Sequence, residues 1–173
     1  GNFSYELLIA KINADLANNL GNFSNRVLSM IERYCEGKVP GKKDAMPSEV
    51  EDLWEQYHLA FAEFDHQRAA QILIQLVNLG NKMIADEKPW DIAKDEARRD
   101  ELEAALRKYL KVLLHVCFML SPFCPGKAQQ IAASFDLDDQ IDFTELKKLQ
   151  QNKLLDEVKQ LRKGELLFQR IEG

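Results

Sequence analysis

The stretch from Leu16 to Pro40 constrains the fold most, because its apolar residues recur at alternating steps of four and three. This spacing predicts a helix with one buried stripe, formed by Leu16, Leu20, Phe23, Val27, Met30 and Tyr34. Leu8 and Ile12 extend the stripe backwards, so we predict one long helix, or two nearly continuous ones, from Tyr5 to about Glu36. Gly21 inside it costs about 1 kcal/mol relative to alanine, which indicates a close helix approach or a slight break.

Further helical patterns follow, and each is bounded by Pro, Gly or capping residues. A loop rich in Pro, Gly and Lys runs from Val39 to Pro47, and Pro89 ends the third helix. Leu166 to Ile171 is predicted to run extended against the body of the domain. No strand alternation of useful length occurs, so the fold class is all-α, an antiparallel helix bundle. The second helix is predicted to start with a capping-box pattern at Ser48 to Glu51, and the third is predicted to start at Asp65. Asp91 or Asp95 could start the next, a long helical pattern from Glu96 to Ser121. The last two helices are predicted to start at Pro125 and Thr144.

Asn22 and Arg26 stand four residues apart, so they share one face of the first helix. That face lies about 100° round from the Phe23/Val27 stripe. An amide supplies two donors and an acceptor, and a guanidinium supplies a fork of donors, so the pair could read a polar, planar ligand. The alternative is an ordinary solvated face.

The two tryptophans lead to different predictions. Trp54 lies beside Leu53 and Tyr57 on an apolar helix face and is predicted to be core. Trp90 directly follows Pro89 between two helices, where it could offer a rigid stacking face or plug the end of the bundle.

Bulk properties exclude several classes of function. The formal net charge of −5 argues against broad binding to phosphates but not against reading a few unpaired bases. No apolar run is long enough for a membrane span and no secretory signal opens the chain, so we predict a cytosolic protein without membrane contact. Three cysteines without a C-x-x-C pair suggest reduced thiols. The three histidines lack metal-ligand spacing, so no metal or catalytic residue is assigned, and His115 is predicted to be a hydrogen-bonded core histidine.

Three blocks resemble the anticodon-binding domain of methionyl-tRNA synthetases. The run NADLANNLGNFSNRVLSMIERYCEGKVP is similar to the first long helix of that domain, and DEKPWDIAKDEARRDEL to its Pro-Trp turn and following helix. The close LLFQRIEG resembles the family's Leu-Phe-Pro-Arg-Ile-Glu ending, with Gln169 where proline is usual. The resemblance runs from about Phe3 to Glu172 and implies the helix-bundle fold of class I synthetase anticodon-binding domains.

The resemblance also implies roles for particular residues. Trp90, with Pro89, would stack on the first anticodon base of tRNA(Met), a cytosine in CAU. Asn22 and Arg26 would hydrogen-bond to anticodon base edges and backbone. Flanking lysines could touch phosphates of the anticodon stem, namely Lys38, Lys88 and Lys94.

Residues 1–173 are then expected to form a single anticodon-binding domain of a longer methionine–tRNA ligase. The His-Ile-Gly-His and Lys-Met-Ser-Lys-Ser motifs of the class are absent. Methionine, ATP and magnesium would belong to a catalytic domain upstream, and this fragment needs no cofactor and should be inactive alone. Its partners would be the tRNA(Met) anticodon loop and that catalytic domain. A rival hypothesis is a helical protein-interaction module that does not bind RNA.

Overall fold

The structure is a computed structural model that describes residues 4–41 and 47–135. A 3-10 turn, Glu96–Arg98, precedes the fifth helix. The predicted helix after Thr144, the extended segment from Leu166 and the LLFQRIEG close lie outside the described residues. Within the described ranges there are six α-helices and no strand: α1 Tyr5–Cys35, α2 Ser48–Ala62, α3 His66–Glu87, α4 Pro89–Ile92, α5 Arg99–Leu120 and α6 Pro125–Ser134.

The four long helices form the predicted antiparallel bundle. α2 and α5 run in the same direction, because their contacts advance together: Trp54 with His115, Tyr57 with Met119 and Phe61 with Phe123. α1 runs the opposite way, since its start contacts Pro122 and its end contacts Arg99. α3 also opposes α5, because its first residue, His66, packs on Phe61 beside Phe123, whereas its last residue, Glu87, contacts Lys108 and Tyr109. α1 and α3 are therefore parallel to each other.

α5 is the central helix. Every residue from Tyr109 to Leu120 is buried, because α1, α2, α3 and α6 pack around this half of the helix. The burial includes Lys111 and His115, so the core is not wholly apolar. Within residues 4–41 and 47–135, no helix combines the length and apolar composition needed to cross a membrane. The three cysteines are free and buried.

Most helix ends follow local capping chemistry. The Ser4 hydroxyl accepts from the Leu7 amide at 3.1 Å, and Asp65 Oδ1 accepts from the Arg68 amide at 3.0 Å. Glu36 ends α1 in the left-handed conformation, with φ 55°. Asp95, rather than Asp91, caps the segment before α5, and its carboxylate accepts from Ala97 N. The first three residues of the predicted Glu96 helix form the 3-10 turn, so α5 begins at Arg99.

The predicted capping box at Ser48 to Glu51 is wrong. The helix begins one residue earlier than that motif requires, because the Pro47 carbonyl already accepts from the Val50 amide at 3.0 Å. Pro47 is the N-cap and has no side chain that could accept a hydrogen bond. At Gly21 the sequence indicated either a close helix approach or a slight break in the helix. Gly21 lies buried within an unbroken α1, so there is no break.

α1 and α3 pack tightly where Phe23 faces Gly80. A Cβ atom added to Gly80 would lie 2.5 Å from Phe23 Cζ. The Phe23 ring is fully buried, so it has little space into which it could move. Gly80 is therefore required by the packing distance between the helices.

This contact predicts opposite effects for two Gly→Ala substitutions. Gly80→Ala should lower the free energy of unfolding by about 1–3 kcal/mol through overpacking, despite the better helix propensity of alanine. Gly126→Ala is the matched control: no atom would lie within 4 Å of the new Cβ, so the free energy should rise by about 0.4–1 kcal/mol. Denaturant unfolding measures both, and a stabilised Gly80→Ala protein would contradict the packing.

His115 predicts a pH dependence of stability. Trp54 Nε1–H donates to His115 Nδ1 at 2.7 Å, so the proton of the neutral ring is on Nε2. Burial, and secondarily the positive charge of Lys111, lowers the pKa of His115 to about 3. The unfolded chain, with a histidine pKa near 6.5, binds more protons between these values. Stability from this group is thus present above about pH 6.5 and is lost as the pH falls, by up to about 1.4 kcal/mol per pH unit.

The pH effect can be isolated with His115→Asn, which keeps an acceptor for Trp54 but does not titrate. The difference in unfolding free energy between wild type and His115→Asn should shrink as the pH falls from 7 to about 4. His66→Asn, at an exposed position, is the control and should show no comparable trend. A pH-independent difference at position 115 would contradict a neutral buried imidazole.

Candidate nucleic-acid interface

One stripe of α1 is polar and borders α3. Asn22 and Arg26 are exposed, whereas the neighbouring Phe23 and Val27 are fully buried. Asn19 precedes Arg26 by seven residues and so lies on the same stripe. Its side chain donates to Asn78 Oδ1 at 3.4 Å, and Asn81 donates to the Asn19 carbonyl at 3.0 Å. The stripe that carries Asn22 and Arg26 therefore runs along the seam between α1 and α3.

The C-terminal end of α3 is tied to α5 through Glu87. Its carboxylate accepts from Lys108 Nζ at 2.6 Å and from the Tyr109 hydroxyl at 2.9 Å. Burial, together with the Glu87 charge, raises the pKa of Tyr109, so the phenol stays protonated as a donor. These bonds fix the point from which the chain turns into α4.

The turn after Glu87 presents Trp90 to solvent. Lys88 adopts a left-handed conformation with φ 48°, and Pro89 occupies the first turn of α4. Pro89 and Ile92 are buried, so they anchor the short helix on the bundle. Trp90, between them, is 43% exposed. The indole of Trp90 is therefore not buried as a plug at the end of the bundle, the alternative considered from the sequence.

Trp54 behaves differently and lies in the core, as predicted. Its side chain is 5% exposed, and its indole N–H is satisfied by the buried His115. This contact also confirms the prediction that His115 is a hydrogen-bonded core histidine.

The relative levels of the two segments follow from the Phe23–Gly80 contact. α3 continues for seven residues beyond Gly80, or about 10 Å along its axis. Together with the Asn19 contacts to Asn78 and Asn81, this register puts the end of α3 level with the α1 segment from about Asn25 to Met30. Arg26 lies within that segment. Asn22 and Arg26 thus lie along the α1–α3 seam, and the Pro89–Trp90 turn directly follows the end of α3 and packs on α5.

Basic residues near the turn divide into paired and unpaired groups. Lys94 contacts Asp91 at 3.1 Å, and Arg98 forms a bidentate pair with Glu101. Lys38 and Lys88 are exposed, and neither makes an ion pair within residues 4–41 and 47–135. Among the three lysines considered for phosphate contact, only Lys94 would first have to break an ion pair, the one with Asp91, before it could bind a phosphate.

Sequence reasoning missed the residues that hold the seam together. Asn19 could have been found from its seven-residue spacing to Arg26. Gly80 and Asn81 could not, because their role depends on which helix packs against α1. The described part of the chain contains no group of three His, Cys, Asp or Glu residues placed to hold a metal ion.

Comparisons with known proteins agree on one family. Residues 35–173 match the model of the anticodon binding domain of methionyl tRNA ligase. The chain is 32% identical to a methionine–tRNA ligase of Halalkalibacterium halodurans, over 99% of this chain and 27% of that protein. A methionine–tRNA ligase from Nostoc is 31% identical and is matched over 34% of its length. The chain thus spans about a quarter to a third of these relatives.

Solved structures show the same fold. The apo methionyl-tRNA synthetase of Mycobacterium tuberculosis superposes with a TM-score of 0.77 at 21% sequence identity, over 99% of this chain and 35% of that chain. The same enzyme with methionyl-adenylate gives a TM-score of 0.70.

The two tryptophan environments predict separable fluorescence. The Trp54→Phe protein, which retains only Trp90, should emit at longer wavelength and be quenched strongly by iodide, because the ring is solvent-exposed. The Trp90→Phe protein should emit at shorter wavelength and resist quenching, because Trp54 is buried. Circular dichroism checks that both variants stay helical, and a shielded Trp90 in a folded protein would contradict this geometry.

Proposed function

The chain belongs to the anticodon-binding domain family of methionyl-tRNA ligases, and on this basis we propose that it recognises the CAU anticodon of tRNA(Met). The observation that carries the proposal is the exposed Trp90 ring, held between the buried Pro89 and Ile92 directly after α3. Asn22 and Arg26 line the same seam with exposed polar side chains.

Anticodon loops suit this arrangement because their bases are single-stranded and can be splayed out. Trp90 stacks on the first anticodon base, since an indole face gives about 1–3 kcal/mol per stacked base. Asn22 and Arg26 donate and accept hydrogen bonds at base edges and backbone. A wrong base leaves these polar groups unpaired, which supplies discrimination.

Pro89 has a supporting role in this proposal. Its fixed φ starts α4 directly after the left-handed Lys88. The indole is thereby held on a short, anchored helix instead of a loose loop. A ring that is already ordered loses less conformational entropy when a base stacks on it.

The acidic composition fits recognition of a few bases. A net charge of −5 gives no broad attraction for phosphates, so affinity must come from a small number of placed contacts. Lys38 and Lys88 contribute phosphate contacts beside the stacked base. Lys94 also contributes one, after its ion pair with Asp91 is broken.

The activity of the whole protein is part of the same proposal. Anticodon binding positions tRNA(Met) for methionylation in the cytosol by the catalytic domain of the ligase. Methionine, ATP and magnesium bind in that domain. The described residues contain no group of three His, Cys, Asp or Glu side chains placed to hold a metal ion.

The proposal is tested by binding of an anticodon stem-loop to the full-length protein. Wild type should bind a CAU loop more tightly than a loop with its first anticodon base changed. Trp90→Ala should weaken CAU binding by roughly 5- to 150-fold, the equivalent of about 1–3 kcal/mol of lost stacking. Fluorescence anisotropy of labelled RNA gives both affinities.

Phe64→Ala is a matched control, because Phe64 is an exposed aromatic residue, 83% accessible, between α2 and α3 at the opposite end of the bundle. This variant should bind as wild type does. Equal wild-type affinity for the two loops would contradict anticodon recognition and favour the rival protein-interaction module, in which Trp90 is an apolar anchor for another protein.

A further inference from the structure

Arg33 lies on the polar stripe of α1 that carries Asn22 and Arg26. It follows Arg26 by seven residues, or almost two helical turns, so the two guanidinium groups project from the same side of the helix. Both arginines are exposed. Their separation along the axis is about 10 Å.

The level of Arg33 on α1 places it beyond the end of α3. The contacts of Phe23 with Gly80 and of Asn19 with Asn78 and Asn81 bring Glu87 level with about Asn25 to Met30, as described above. Arg26 lies within this segment and Arg33 about one to two turns beyond it. Arg26 therefore lies near the level at which α3 ends and the chain turns through Lys88 into Trp90, and Arg33 lies beyond that level.

Local contacts support the position of Arg33. Its guanidinium lies 5.5 Å from the centroid of the Tyr34 ring, a distance that permits a cation–π interaction. The Tyr34 carbonyl in turn accepts from Arg99 Nη2 at 2.6 Å. Arg99 opens α5, so the last turn of α1 is fixed to the segment that follows the Trp90 turn.

The charge of Arg33 is not neutralised by a carboxylate in the described part of the chain. Other basic residues of the same end are engaged: Lys108 with Glu87, Lys94 with Asp91 and Arg98 with Glu101. Arg26 shares this property with Arg33 within residues 4–41 and 47–135. An unpaired guanidinium can bind a phosphate without first breaking an ion pair.

We propose that Arg33 binds a backbone phosphate of the anticodon loop, about 10 Å along the polar stripe of α1 from Arg26. This inference rests on the proposed function. It makes Arg33 a backbone-positioning residue, which adds affinity but does not distinguish one base from another.

The test compares Arg33→Gln with wild type in the full-length protein, using the CAU stem-loop and the loop with its first anticodon base changed. Arg33→Gln should weaken binding of both loops by the same factor, about threefold, near 0.1 M salt. The slope of log affinity against log salt should become shallower by about 0.7, the value for one phosphate contact to a single strand. The preference for CAU should stay unchanged.

Two further variants separate this role from a loss of structure. Arg33→Lys keeps the charge and should restore the wild-type salt slope. Arg68→Gln removes an exposed arginine at the start of α3, at the opposite end of the bundle, and should leave affinity and slope unchanged.

Two results would overturn the proposal: wild-type affinity and slope in Arg33→Gln, or a loss confined to the CAU loop. A wild-type protein that binds both loops equally contradicts the proposed CAU specificity alone, because the uniform loss and the salt slope of Arg33→Gln can still be measured. A wild-type protein that binds neither loop overturns both.

Discussion

The packing of Phe23 against Gly80 is the contact on which the rest of the candidate interface depends. Because Gly80 has no side chain, the Phe23 ring of α1 packs directly against the α3 backbone, and Asn81 next to it donates to the Asn19 carbonyl. This contact sets which residue of α1 is level with the end of α3. It therefore affects how far the polar stripe of α1 lies from Trp90. A larger residue at position 80 would change that distance without itself contacting a ligand.

The distribution of charge is compatible with the proposed recognition of RNA by an acidic chain. Glu87 is used internally, between Lys108 and Tyr109, and its bonds fix the turn that presents Trp90. Exposed ion pairs at this end contribute little stability, but they neutralise basic side chains that would otherwise attract phosphates at many places. Arg26 and Arg33 are left as unpaired cations in one line on the described surface. Recognition by such a surface depends on placement and not on net charge.

Much of the fold could be predicted from the sequence, because apolar spacing and helix-ending residues are local properties. The extent of α1, the core position of Trp54 and the hydrogen-bonded His115 all followed from such patterns. The capping box at Ser48 failed because helix starts shift by one residue when a neighbouring carbonyl can accept the first bond. The face shared by Asn22 and Arg26 was predictable from spacing. The partner helix, and so the importance of Gly80 and Asn81, was not predictable, because it depends on contacts between distant segments.

The most direct test of the account is a crystal structure of the full-length protein bound to a CAU anticodon stem-loop. The account predicts the first anticodon base stacked on the Trp90 ring, with RNA atoms about 2.7–3.2 Å from the side chains of Asn22 and Arg26. An anticodon loop bound away from the α1–α3 seam, or a Trp90 ring covered by another part of the protein, would contradict it.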